Sequence, residues 1–170
     1  MTSLNDKMTV LKIDTAGCET QSEAVWGGGN APKEVKSKEQ KKMDLDLLEF
    51  AFDGDEKEVK KLLEEEGADF CEVDSRGNTA LAEAAVAGHY DCCKILLEFN
   101  HPLGSDPNHV SKNDKRTPLH RAAFSGNFEL VQLMLTHGGD PRVQDKHSDR
   151  PQDISTNEDI INLLNNYDVK

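Results

Sequence analysis

Thr117-Pro118-Leu119-His120-Arg121-Ala122-Ala123-Phe124-Ser125-Gly126 is the stretch on which the fold turns. Thr117 suits a helix N-cap, where its hydroxyl accepts from a first-turn N–H. Pro118 follows at the first helical position, where its missing donor costs nothing. Gly126 ends the helix at a place that favours a left-handed backbone. Between these signals lies a short helix with two adjacent small residues, Ala122 and Ala123. Val131 stands five residues after Gly126 and Met134-Leu135 begin eight residues after it, which marks a second apolar helix running back.

The same pattern returns upstream. Thr79-Ala80-Leu81-Ala82-Glu83-Ala84-Ala85-Val86-Ala87-Gly88 repeats it, with Cys93 and Leu96-Leu97 at the same offsets from the glycine. Leu47-Leu48-Glu49-Phe50-Ala51-Phe52-Asp53-Gly54 repeats it again, with Val59 and Leu62-Leu63. Gly54, Gly88 and Gly126 are separated by 34 and 38 residues. A fourth, shortened unit opens at Asp145-Lys146-His147, carries Pro151 and closes with Ile160-Ile161-Asn162-Leu163-Leu164. One such unit cannot bury its apolar face alone, so the units stack into a solenoid.

On these residues the chain resembles the ankyrin repeat family. Thr117-Pro118-Leu119-His120 with Gly126, Gly67-Ala68-Asp69, Gly138-Gly139-Asp140-Pro141, and the hairpin marks Asp74, Gly77 and Thr79 carry the likeness. The resemblance implies an all-α solenoid of stacked helix-turn-helix units joined by β-hairpin loops, ending in a truncated C-terminal cap. Residues 77–168 are also similar to the ankyrin segment of IQ-motif-and-ankyrin-repeat proteins, although the IQ pattern itself is absent. There are departures. The first unit has no Thr-Pro start, and Asp44-Leu45-Asp46 begins its amphipathic helix. Ala80 and Ala82 stand where Pro and His are usual, and Lys115 stands where the third hairpin wants Gly.

The domain expected from this reading spans 44–165, in units 44–73, 74–111, 112–144 and 145–165, followed by a short end at 166–170. Residues 1–43 are polar, contain Gly27-Gly28-Gly29 and a mixed run from Lys33 to Lys42, and read as a disordered tail with a helix growing in from Glu34. Met8–Ile13 is a strand-like exception, and Val25-Trp26-Gly27 is a candidate docking motif. The stretch 98–112 is longer than the family spacing and reads as an inserted surface loop.

Charge narrows the function. The chain has 170 residues with 20 basic and 32 acidic side chains, a formal net charge of −12. Nucleic acid and anionic membrane surfaces both call for Lys and Arg, so neither is an expected partner. The acid is concentrated: residues 44–110 carry −12, whereas 1–43 carry +1 and 111–170 carry −1. That asymmetry points to a protein partner with a basic patch. No apolar run is long enough to cross a bilayer. Cys18, Cys71, Cys92 and Cys93 form no C-x-x-C and sequons are absent, which suits a reducing compartment, cytoplasmic with the nucleus as the alternative.

The motifs of phosphate-binding loops, zinc proteases and serine hydrolases are missing, so no enzyme, cofactor or metal is expected. Glu64-Glu65-Glu66 reads as a solvated helix face. His101, His109 and Asp106 share the inserted loop, but a polar loop rarely supplies the fixed ligand geometry a metal needs. His89 and His137 lie at helix boundaries and read as capping residues; Cys93 reads as core. The resemblance implies that His120 hydrogen-bonds backbone between repeats.

Two surfaces are candidates for binding. Phe52, Val86 and Phe124 each stand two residues before a repeat glycine. The resemblance places that position on the concave face, and packing beneath the next repeat is the competing placement. The hairpin tips offer Arg76 and Asn78 in the second unit, Asn113, Asp114 and Arg116 with nearby Arg121 in the third, and Lys146 and His147 in the last. The expectation is a monomeric, non-catalytic interaction module. An inhibitor of an enzyme such as a protein kinase is the alternative, because small acidic ankyrin proteins of similar size inhibit cyclin-dependent kinases.

Overall fold

Each repeat glycine ends its helix in the left-handed region, at φ 82° for Gly54, 82° for Gly88 and 75° for Gly126. The chain therefore reverses three times at equivalent points. The computed structural model describes residues 36–99 and 105–167, and holds eight helices there. They run α1 (Lys38–Asp53), α2 (Glu56–Glu64), α3 (Ala80–Ala87), α4 (Tyr90–Glu98), α5 (Pro118–Ser125), α6 (Phe128–Thr136), α7 (Pro151–Ile154) and α8 (Glu158–Asn165). The odd-numbered helices pack in sequence as one layer and the even-numbered helices as a second. This is the all-α solenoid that the repeat pattern demands.

Small residues set the spacing of the first layer. Ala51, Ala84, Ala85, Ala122 and Ala123 are fully buried, so consecutive helices approach closely. The paired apolar residues Leu62-Leu63, Leu96-Leu97 and Met134-Leu135 fill the second layer, and Leu47, Leu81 and Leu119 lock the first to it. Removing one of these fully buried side chains, as in Leu119→Ala, costs about 2–5 kcal/mol through lost transfer energy and the cavity left behind.

Local chemistry explains the helix starts. Thr117 Oγ1 accepts from the His120 N–H, and the His120 ring closes a capping box. His120 is completely buried, its Nδ1 accepting from Thr117 N–H at 3.2 Å and its Nε2 donating to the Asp149 carbonyl at 3.2 Å. The third repeat is thereby tied to the fourth, as the resemblance implied. His89 and His137 do sit at helix ends, as the N-cap of α4 and the C-cap of α6; His89 caps without a side-chain hydrogen bond.

Three details differ from the sequence reading. First, the helix expected to grow in from Glu34 and the one expected to begin at Asp44 are a single α1, which starts at Lys38 with Ser37 as N-cap and is twice as long as α3 or α5. Second, the extra length in 98–112 is divided. Asp69, Asp106 and Asp140 each accept from the N–H two residues on, at 2.9, 2.8 and 2.9 Å, so the repeat register resumes at Ser105-Asp106-Pro107. One further residue lies in the third tip, where Ser111 N–H bonds the Arg116 carbonyl, against Asp74 with Asn78 and Asp145 with Asp149. Third, the tips are turns, and Val73–Thr79 is an isolated antiparallel bridge with no named strand among the described residues. The tail segments Met8–Ile13 and Val25-Trp26-Gly27 lie outside the described residues.

Candidate interaction surface

Helices α1, α3 and α5 end in register, which brings Phe52, Val86 and Phe124 to equivalent places on one layer. Phe124 is 60% exposed and Phe52 is 49% exposed, while Val86 between them is half-buried. Leu45, two turns before Phe52 on α1, is 50% exposed. Apolar side chains of this size left in water on one helical layer constitute surface that a partner gains by covering.

The tips are organised by a polar ladder that runs from repeat to repeat. Arg76 donates through Nε to Asp74 at 2.8 Å and through Nη2 to Glu83 at 2.9 Å. Asn78 is 2% exposed; its Nδ2 donates to Glu83 at 2.7 Å and its Oδ1 accepts from Arg121 Nη2 at 3.1 Å. Arg121 also donates to Asp114 at 2.8 Å, and Asp114 accepts from Ser111 Oγ and the Arg116 N–H. Arg116 Nε donates to Asp145 at 3.0 Å. Burial works against the charge of Asp114, yet Ser111, the Arg116 N–H and the Arg121 guanidinium hold its carboxyl below the usual range. Asp145 is lowered despite burial as well, by the His147 N–H, Arg116 and the Asp149 N–H.

This ladder divides the expected tip residues. Asn78, Asp114, Arg116 and Arg121 spend their polar groups inside the stack, with Asn78 out of reach of a partner. Asn113, Lys146 and His147 are exposed, and Arg76 is exposed while paired. Phe52 and Phe124 are open to solvent.

A second polar cluster had no counterpart in the sequence reading. Asp44 is completely buried on α1, where its Oδ1 accepts from Asp69 N–H at 2.8 Å. Lys36 Nζ donates to Asp44 at 2.9 Å, to Asp69 at 2.8 Å and to Glu72 at 2.5 Å. Burial disfavours the ammonium, but hydrogen bonds to Asp69, Glu72 and Asp44 raise it above the ordinary lysine range. The cluster pins the start of α1 to the loop after α2. An aspartate beside Leu45 carries no periodic signal that would have marked it as buried.

Among the described residues, both buried thiols and the loop histidine are constrained by their surroundings. Burial, then the nearby Glu56, Asp91 and Asp55 carboxylates, push the Cys92 thiol up to about 11, and burial raises Cys93 further. Raising a buried thiol in this way favours the protonated form, which is the poorer nucleophile. His109 Nε2 lies 3.0 Å from the Gly77 carbonyl, while His101 lies outside the described residues. Among the described residues no group of three or more His, Cys, Asp or Glu is placed to hold a metal, and no helix is long and apolar enough to cross a membrane.

Comparison with known proteins agrees with the geometry. The family model described as "Ankyrin repeats (3 copies)" matches residues 47–145. The inactive serine/threonine-protein kinase TEX14 of Mus musculus is 38% identical over 110 residues, covering 65% of this chain and 7% of that protein. The Bos taurus TEX14 is 35% identical over 121 residues, 71% of this chain and 8% of its own length. Human ankyrin repeat domain-containing protein 29 is 38% identical over 69 residues, 41% of this chain and 21% of that protein. The chain thus spans a small part of the length of these relatives.

Proposed function

The chain belongs to the ankyrin-repeat family, and from that premise we propose that it acts as a monomeric, non-catalytic binding stack for a protein partner. Repeats of this family are in general protein-interaction modules. In this role contact falls to Phe52, Val86 and Phe124 on the layer of α1, α3 and α5 (the inner layer), with Arg76, Asn113, Lys146 and His147 at the tips. Asp114, Arg116 and Arg121 act in this reading by holding the tips in place, and Asn78 contributes from inside.

One observation carries the proposal: Phe52 and Phe124 stand at the same repeat position and are 49% and 60% exposed. A large aromatic left in water at one register position adds little to the fold, whereas in a contact it supplies the anchoring area that dominates binding. The test is site-specific crosslinking. A photoreactive phenylalanine analogue at position 124 is expected to trap a partner that the same analogue at Lys94, exposed on the outer layer, does not. Equal trapping at both positions would remove the inner layer from the contact.

A further inference from the structure

The tips of the third and fourth repeats are cationic, on a chain whose formal charge is −12. Lys112, Lys115, Lys146 and Arg150 are exposed there, and none makes an ion pair among the described residues. Most acids beside them are already engaged by neighbouring groups. Asp114 is taken by Ser111 and Arg121, Asp145 by Arg116 with the His147 and Asp149 N–H groups, and Asp153 accepts from the Arg150 N–H. Asp149, half-buried, is the one tip carboxylate without such a side-chain bond among the described residues.

The backbone that carries the cations is also held at fixed spacing. Lys112 N–H and Asn113 N–H both donate to the Arg76 carbonyl, at 3.1 and 3.3 Å, and Lys146 N–H donates to the Asp114 carbonyl at 2.9 Å. Backbone bonds therefore join each tip to the next. Lys115 and Ser148 occupy the left-handed region, at φ 57° and 69°, which fixes the turn beside each cation pair. A row of positive charge on a fixed backbone steers and meets an anionic partner without first having to order the loops beneath it.

We propose that these two tips dock an acidic segment of a protein partner, one whose carboxylates face Lys112, Lys115, Lys146 and Arg150 while an apolar side chain reaches Phe124. This rests on the interaction reading above and names its partner chemistry at the C-terminal half. Nucleic acid is the other anionic class, and the acid concentrated in residues 44–110 repels a long phosphate backbone.

Fluorescence anisotropy with labelled short peptides tests it. A Glu/Leu peptide is expected to bind the full chain more tightly than Gln/Leu or Lys/Leu peptides, and to weaken as salt rises. The quadruple variant Lys112→Glu, Lys115→Glu, Lys146→Glu, Arg150→Glu should weaken the Glu/Leu peptide on the order of tenfold or more, since several exposed pairs are reversed together. A quadruple Gln variant, with its urea midpoint checked, guards against loss of fold. The proposal is overturned if the Glu/Leu peptide binds no better than Gln/Leu, if charge reversal leaves it unchanged, or if a single-stranded oligonucleotide binds more tightly. Should it fail while Phe124→Ser still weakens whichever peptide binds, the interaction reading stands and only the acidic partner is lost.

Discussion

Arg116 and Arg142 both pair with an aspartate at nearly the same distance, 3.0 Å to Asp145 and 2.9 Å to Asp140. Burial separates them. The Arg116 and Asp145 side chains are 24% and 0% exposed, whereas those of Arg142 and Asp140 are 67% and 30% exposed. Breaking a fully buried pair costs about 3–5 kcal/mol because a charge is left behind in low dielectric. Asp145 retains the His147 and Asp149 N–H groups, at 2.8 and 3.1 Å, which hold part of that charge. The expected loss for Arg116→Ala is therefore reduced to about 1.5–2.5 kcal/mol. Arg142→Ala should cost under about 0.5 kcal/mol, as exposed pairs do. Urea unfolding followed by circular dichroism separates the two. With an m-value of about 1–3 kcal/mol/M, Arg116→Ala lowers the midpoint by about 1 M and Arg142→Ala leaves it nearly unmoved. Arg116→Lys, which keeps the charge and loses the Nε donor, should fall between. Equal midpoints for the two alanine variants would refute the claim that tip charges hold the repeats together.

Further outcomes are expected from the turns, the buried imidazole and the α1 cluster. Lys115→Gly should stabilise by about 0.5–1 kcal/mol, because a left-handed backbone at φ 57° is strained for lysine. Gly77→Ala at the matching place should destabilise by more than about 1 kcal/mol, since its Cβ would meet the Lys112 backbone nitrogen at 2.6 Å and φ is 84°. Burial pushes the His120 pKa down, against the pull of the Asp149 carbonyl and the Asp145 charge. The unfolded chain then takes the proton first, so this stability is full above about pH 6.5 and is lost as pH falls toward the folded value. Urea midpoints between about pH 7.5 and 5.5 should fall for the native chain and stay flatter for His120→Asn. Asp106, raised by burial, works the other way at lower pH. Asp44→Ala removes the acceptor of Lys36, Gln40 and the Asp69 N–H. Hydrogen exchange at Asp69 should speed up, and unchanged protection would show that the cluster does not pin the loop.

The stack itself was readable because its signals are local. Thr117, Pro118 and Gly126 act within one helix, and the spacing of Gly54, Gly88 and Gly126 repeats them. The apolar stripe was readable for the same reason, as three residues at one offset. What could not be read is pairing across repeats. Arg116 meets Asp145 at a separation of 29 residues and Arg121 meets Asn78 at 43, and neither distance is marked by composition or period. Charged tip residues look alike in sequence whether they face water or each other. The position of the extra residues was obscured differently: the glycine spacing reports their number, while the shared turns at Asp69, Asp106 and Asp140 report their place. Aligning those three aspartates would have shown it.

Phe52 and Phe124 are proposed to serve a partner rather than the fold. Quantitative affinity capture with the native chain and the Phe52→Ser, Phe124→Ser double variant, paired with their urea midpoints, tests it most directly. The expected result is midpoints that agree to within the small change typical of exposed positions, and a defined set of proteins lost from the variant. An identical set recovered by both chains, or a large fall in the variant's stability, would contradict it.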